Sequence, residues 1–340
     1  MTNNIKISIN YSLFLLNLLL TLFSQFCILD SMGTQSESAI SKANTLIETG
    51  KLVQARALLE EALTADLDNT DLVFAVRCCT FWEPKIENTL QLDAFEYGEN
   101  LINQWKQFRV LLEHEKNSDE DNVFAFKKLV YTRALEQYKK ASDESDLKLK
   151  AEIYRKAGLC YKKLGFYEEA LKCLTESNNL VQDTSPVLAE MADCYDLCGE
   201  TKLAKVLFRE AFYIDPEKID LTFLDSPMIK ILISRVAEKK YSGALLQEWI
   251  PVYGVLYGVF TVKRKLRSQE VGRLKQDIYA KENELKDPEN DSTILRPRLL
   301  NMYFRLMDHY VLSKDNVSKI NEVLLSIKLL DPEVYEMYIK

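Results

Sequence analysis

The stretch Ala151–Pro216, AEIYRKAGLCYKKLGFYEEALKCLTESNNLVQDTSPVLAEMADCYDLCGETKLAKVLFREAFYIDP, contains one helical hairpin written twice. With Gly165 laid on Gly199, an offset of 34 residues brings Tyr161 onto Tyr195, Cys160 onto Cys194, Ala170 onto Ala204 and Leu174 onto Phe208. A repeat of that period, with small and aromatic residues at fixed places, is the signature of stacked helix-turn-helix units that bury their faces against one another. The glycines fall where a helix must end and the chain must turn.

The order Tyr154, Ala157-Gly158, Tyr161, Gly165, Ala170, Leu174 resembles the tetratricopeptide repeat (TPR). The next unit repeats the resemblance through Leu188, Met191-Ala192, Tyr195, Gly199, Ala204, Phe208, Ala211 and Pro216. It implies an all-α, TPR-like α-solenoid of helical hairpins, with a divergent helical C-terminal region. It also implies a non-enzymatic scaffold or adaptor that holds a protein or peptide segment in a concave groove. By that resemblance the groove positions are Glu152, Arg155, Leu159, Lys162 and Lys163 in one unit, and Ala189, Asp193, Asp196 and Leu197 in the next. One subclass of the family grips a terminal carboxylate with Lys, Asn and Arg. Arg155 suits one such place, but Leu159 and Glu190 do not supply the asparagines, so that clamp is not expected here.

Outward from the central pair the pattern weakens. Ala39, Ala43, Leu46, Gly50, Ala55, Leu59 and Ala62 form a fainter first unit, and the solenoid is expected over 36–218 with a diverged insert at 70–145. Within the insert, Pro84 is expected to break a helix after Trp82. A long helix from Leu92 to about Glu115 carries Phe95, Ile102, Trp105 and Leu112 inward. After a turn over Asn117–Asn122, a returning helix spans Val123–Ala141 with Leu135 and Tyr138. Ser185-Pro186 and Ser226-Pro227 read as helix starts, a capping hydroxyl followed by proline.

The region 219–340 is expected to form a helical C-terminal domain with a capping hairpin at 298–331. Trp249–Val262 is its most apolar stretch, too short to span a bilayer comfortably and read as buried helix packing. The segment 261–275 follows, with Lys263, Arg264, Lys265, Arg267, Arg273 and Lys275 against Glu270 alone. The apolar-basic stretch 249–275 supplies the competing reading, a peripheral membrane or RNA-binding module. Against general nucleic-acid binding stands a formal net charge of -7.

Tyr11–Leu29 is an uncharged, Leu- and Phe-rich run within 1–31. As written it reads as a hydrophobic anchor or signal-like segment that contacts the membrane. If translation starts at Met32, the chain is expected to be cytoplasmic. The seven cysteines include Cys160 and Cys194 at one repeat position, where a small buried thiol fits, and the adjacent pair Cys78-Cys79. Reduced, buried thiols are the reading, and Cys194-x3-Cys198 does not make a zinc site without a second tight pair. Only two histidines occur, His114 and His309, and no phosphate-binding loop, dinucleotide fingerprint or nucleophile elbow is present. Neither catalysis, a cofactor nor a small-molecule substrate is expected.

Overall fold

Three turns are the same object. At Gly50, Gly165 and Gly199 the backbone enters the left-handed region, with φ of 78°, 87° and 85°. In each, the glycine N–H bonds the carbonyl three residues back and the next N–H bonds the carbonyl five back: Gly50 to Ile47 and Lys51 to Leu46, Gly165 to Lys162 and Phe166 to Tyr161, Gly199 to Asp196 and Glu200 to Tyr195. This closure satisfies carbonyls that a helix end leaves bare, and it needs a residue without Cβ strain.

The same closure recurs at residue 314, where Lys314 N–H bonds Val311, Asp315 N–H bonds Tyr310, and φ is 52° on an exposed lysine. An L-residue with a side chain pays steric energy there. Lys314→Gly is therefore expected to stabilise the protein by about 1 kcal/mol, read as a higher urea midpoint at unchanged slope. A lower midpoint would show that the lysine side chain does more than tolerate the turn.

The computed structural model describes residues 35–87, 92–115 and 119–340. The run Tyr11–Leu29 and the start at Met32 lie outside them. Among the described residues no helix is long and apolar enough to cross a membrane. The chain divides into two units, Met1–Lys140 and Ala141–Lys340. The boundary expected at 218/219 lies within the second of these units.

The first unit contains α1 (35–48), α2 (Leu52–Ala65), α3 (Thr70–Glu87), α4 (Ala94–Glu113) and α5 (Glu120–Lys140). Proline 84 does not stop α3, which runs on to Glu87. Pro84 forfeits one backbone bond, but buried Trp82 and Ile86 on either side hold the helix against its neighbours. The core is aromatic. Trp82 lies with its ring centroid 5.5 Å from Phe108, 6.1 Å from Trp105 and 6.4 Å from Phe126, and Trp105 meets Tyr131 edge-on at 5.6 Å. Ile102, Trp105, Leu135 and Tyr138 are buried as expected, whereas Phe95 and Leu112 are only half-buried.

The second unit contains α6 (Leu147–Lys163), α7 (Tyr167–Leu180), α8 (Ser185–Leu197), α9 (Thr201–Ile214), α10 (Pro227–Ala237), α11 (Gly243–Leu256), α12 (Ser268–Lys286), α13 (Ser292–Ser313), α14 (Val317–Leu330) and α15 (Pro332–Ile339). The fold is all-α, with α6–α7 and α8–α9 as the two copies of the hairpin stacked in the manner of an α-solenoid. Ala170, Leu174, Ala204, Phe208, Cys160 and Cys194 are fully buried between them. Gly158 packs so closely on Leu174 that a Cβ there would stand 2.8 Å from it, which is why the repeat keeps a small residue at that place.

A continuous apolar core then runs from Leu188 through Phe208, Phe212, Ile250, Phe260, Leu300 and Phe304 to Val334. It joins α8–α9 to everything after them, so 188–218 and 219–340 share one interior. Trp249–Val262 is buried packing rather than one helix: α11 ends at Leu256, and the chain doubles back so that Phe260 fills the space over Gly254. Several helix ends differ from expectation. Thr184, not Ser185, stands at the N-cap place of α8, and neither it nor Ser226 before α10 makes a side-chain capping bond; α13 begins at Ser292 and passes through Pro297; and α15, which follows the capping hairpin, starts at Pro332.

Candidate partner-binding site

The first helices of the two hairpins, α6 and α8, carry the positions expected to line an open groove. The structure buries most of them. Leu159 and Ala189 are fully buried, and so are the side chains of Lys162 and Asp193, which pair at 2.9 Å. Arg155 bridges Glu152 on its own helix and Glu190 on α8. Asp196 and Leu197 keep partial exposure, as does Glu152. Lys162, Lys163 and Asp193 hold a segment of the same chain.

That segment is Ile219–Ser226, which contains a single 3-10 turn, Leu221–Phe223. Asp193 accepts the Asp225 N–H at 2.9 Å and the Ser226 N–H at 2.8 Å, capping the approach to α10. Lys162 donates to the Phe223 carbonyl at 3.1 Å as well as to Asp193. Lys163 pairs with Asp225 and stands 5.7 Å from the Phe223 ring centroid. Phe223, Leu224 and Ile219 are buried beneath. At Lys162, Lys163 and Asp193 the expected groove is therefore occupied by residues 223–226, where the buried charges and the backbone satisfy each other.

The electrostatics follow from this crowding. Burial opposes the charge on Lys162, but Asp193 and Glu190 outweigh it and hold its pKa above the ordinary lysine value. Lys163 lacks that surplus; burial and the neighbouring Lys162 pull it down to about 8. Burial would raise Asp225, yet Lys163 and Lys162 hold it at about 2. A carboxyl that titrates lower in the folded than in the unfolded chain stabilises the fold above its unfolded pKa, and that support is lost as pH falls through 2. Asp225→Asn is therefore expected to cost about 2 kcal/mol at neutral pH and progressively less between about pH 4 and pH 2. Urea unfolding of both proteins across that range checks it; a pH-independent difference would contradict it.

A second concavity in this unit remains open. It is a trough of about 950 Å³ between the outer face of α9, the segment leading into α12, α12 itself and α13. Its apolar lining includes Leu207, Tyr213, Ile214, Leu266 and Leu274; its charged lining includes Glu210, Arg264, Arg267, Glu270, Arg273 and Arg305. The segment 261–267 is extended rather than helical. Arg209 fixes its start by donating to the carbonyls of Phe260 and Val262 and by pairing with Asp308. Farther on, Leu266 N–H donates to His309 Nδ1 at 3.2 Å, and Glu270 accepts the Arg267 N–H at 2.6 Å. Burial and nearby Lys265 push the His309 pKa down, consistent with an unprotonated Nδ1 in that bond.

The expected basic patch is therefore divided. Lys263 pairs with Asp308 at 3.5 Å, and Arg264 pairs with Glu270 at 2.8 Å and Glu210 at 3.3 Å. Lys265, Arg267, Arg273 and Lys275 are exposed, Lys275 lying 5.5 Å from the Tyr310 ring centroid. Glu210 also receives Arg305 at 2.7 Å, whose guanidinium stacks 3.8 Å from the Tyr213 ring centroid. Sequence reasoning named Arg264, Arg267 and Arg273 of the trough but missed its other walls. Glu210, Tyr213 and Arg305 lie on α9 and α13, far along the chain, and only the alternation of charge and aromatic side chains on α9 hinted at a second working face.

The cysteines at 78, 79, 160 and 194 are buried, with Cys79 and Cys194 pushed up to about 12 by burial. Among the described residues no His, Cys, Asp and Glu side chains gather in a set that could hold a metal ion.

No family model matches the chain, and no curated protein matches it. Among solved structures it is similar to the crystal structure of the P58(IPK) TPR domain, at 16% identity across 88% of this chain and 99% of that chain, with a TM-score of 0.24.

Proposed function

We propose that this protein is a non-enzymatic, TPR-like scaffold that binds a segment of a protein partner in the trough between α9, α12 and α13. The observation that carries this reading is the contrast between the two concavities of the second unit. The face of α6 and α8 is filled by 219–226, whereas the 950 Å³ trough offers apolar side chains beside arginines already fixed by ion pairs. Fixed polar groups around an apolar strip cost little to order when a ligand arrives, which favours binding. Protein rather than small-molecule binding suits an open channel walled by helices.

The test is site-specific photo-crosslinking in the full chain. A benzophenone side chain at Gln269, on the rim of the trough, is compared with one at exposed Lys172 on α7. The expected result is a discrete crosslink from Gln269 to one mapped segment of a partner that also binds when purified, with no such crosslink from Lys172. Equal capture at both places, or specific capture at Lys172 alone, would overturn the reading.

A further inference from the structure

We infer that the trough selects a protein segment with carboxylates at one end and apolar side chains beyond them. The inference rests on the reading just proposed and names the chemistry of its partner. Its basis is an uneven distribution of unpaired charge along the channel.

Arg264 and Arg305 are neutralised by Glu210 and Glu270. Among the described residues Arg267 and Arg273 form no ion pair, and both are exposed. Arg267 is the N-cap residue of α12 and Arg273 lies in its second turn, so the backbone N–H groups of the helix start add to the positive field at Arg267. Lys265 and Lys275, exposed on the same stretch, are likewise without a carboxylate. The opposite sign lies farther along the channel, at Asp183 and at Asp277, one turn beyond Arg273 on α12. The Gly199 turn makes α8 and α9 antiparallel, so Asp183, just before α8, lies by the last turn of α9 together with Ile214. Asp277 is near Tyr213, whose phenol is pushed up mainly by burial and further by that carboxylate. Asp183 and Asp277 are exposed and form no ion pair among the described residues.

Between these ends α9 presents Leu207, Tyr213 and Ile214 over about 10 Å of helix. A ligand carboxylate is attracted near Arg267 and Arg273 and repelled near Asp183 and Asp277, while leucine or phenylalanine side chains gain burial along the middle. A nucleic acid fits less well. Its evenly spaced phosphates would extend from the arginines into the two aspartates. A uniformly basic segment meets the reverse conflict.

The experiment uses the full chain and fluorescence anisotropy with three labelled probes: a peptide with a glutamate block followed by leucines and phenylalanines, its lysine-block counterpart, and a single-stranded oligonucleotide. Saturable binding of the glutamate-block peptide, weakening as salt rises, is the expected result. Arg267→Glu combined with Arg273→Glu should reduce that affinity at least about tenfold while helicity is retained, and Lys at both positions should largely preserve it. Overturning results are no saturable binding of the glutamate-block peptide, equal or tighter binding of either other probe, or no loss in the double-Glu variant. Failure here is separable from failure of the broader reading. A basic or uncharged segment crosslinked at Gln269 would sink the charge selection and leave the trough as a binding site. Capture at Lys172 alone would sink the trough itself.

Discussion

Asp193→Ala is expected to destabilise the second unit by about 3–5 kcal/mol, the largest effect of any single charged substitution in this protein. The aspartate is fully buried and accepts from the Lys162 ammonium and from the N–H groups of Asp225 and Ser226. Its removal strands a buried ammonium and two backbone donors at once, and an orphaned buried charge costs far more than the pair contributes when intact. The obvious objection is that buried ion pairs can be replaced by apolar residues without loss. Here the double variant Lys162→Met with Asp193→Leu should recover only part of the cost, because the amides of 225 and 226 and the Phe223 carbonyl still lack partners. Urea unfolding of the wild type, both single variants and the double measures this coupling. A loss under about 1 kcal/mol for Asp193→Ala would mean that 219–226 is held by its apolar side chains alone.

The second large effect lies in the first unit. Trp82→Ala should cost about 3–5 kcal/mol through loss of buried area and the cavity left behind. Trp82 is fully buried between Trp105, Phe108 and Phe126, aromatic rings too rigid to close a void of that size by rotation. Its indole N–H has no hydrogen-bond partner among the described residues, so Trp82→Phe loses volume but sheds an unsatisfied donor and should cost clearly less. Tryptophan fluorescence and urea unfolding together check the order: a Phe variant as unstable as the Ala variant would show that the N–H is satisfied in solution.

What could be read from the sequence was whatever depends on neighbours in the chain. Gly165 and Gly199 declare a left-handed turn locally, and Ala170 and Ala204 declare a tight crossing through the 34-residue period. The hairpins followed, and so did the buried thiols at Cys160 and Cys194. The binding surface was harder, because a groove position is defined by what does not cover it. Lys162 and Asp193 sit on adjacent first helices, 31 residues apart, and their pairing was readable in principle from the repeat offset. Their third partner was not: the backbone of 223–226 has no side-chain signature. In the same way the positive surplus of 261–275 looked larger than it is, since Glu210 and Asp308, which absorb Arg264 and Lys263, are 54 and 45 residues distant. Pro84 was overrated as a helix breaker because buried side chains on both flanks can carry a helix past one missing bond.

That the chain fills the α6–α8 face with its own residues 219–226, leaving the α9–α12–α13 trough as the open channel, is tested most directly by amide hydrogen exchange in the free protein. The N–H groups of Asp225 and Ser226 should exchange as slowly as those in the middle of α8, opening only with the unit as a whole. Exchange at the rate of the exposed turn 287–290 would show the segment unseated, and the face of α6 and α8 would then be the open groove.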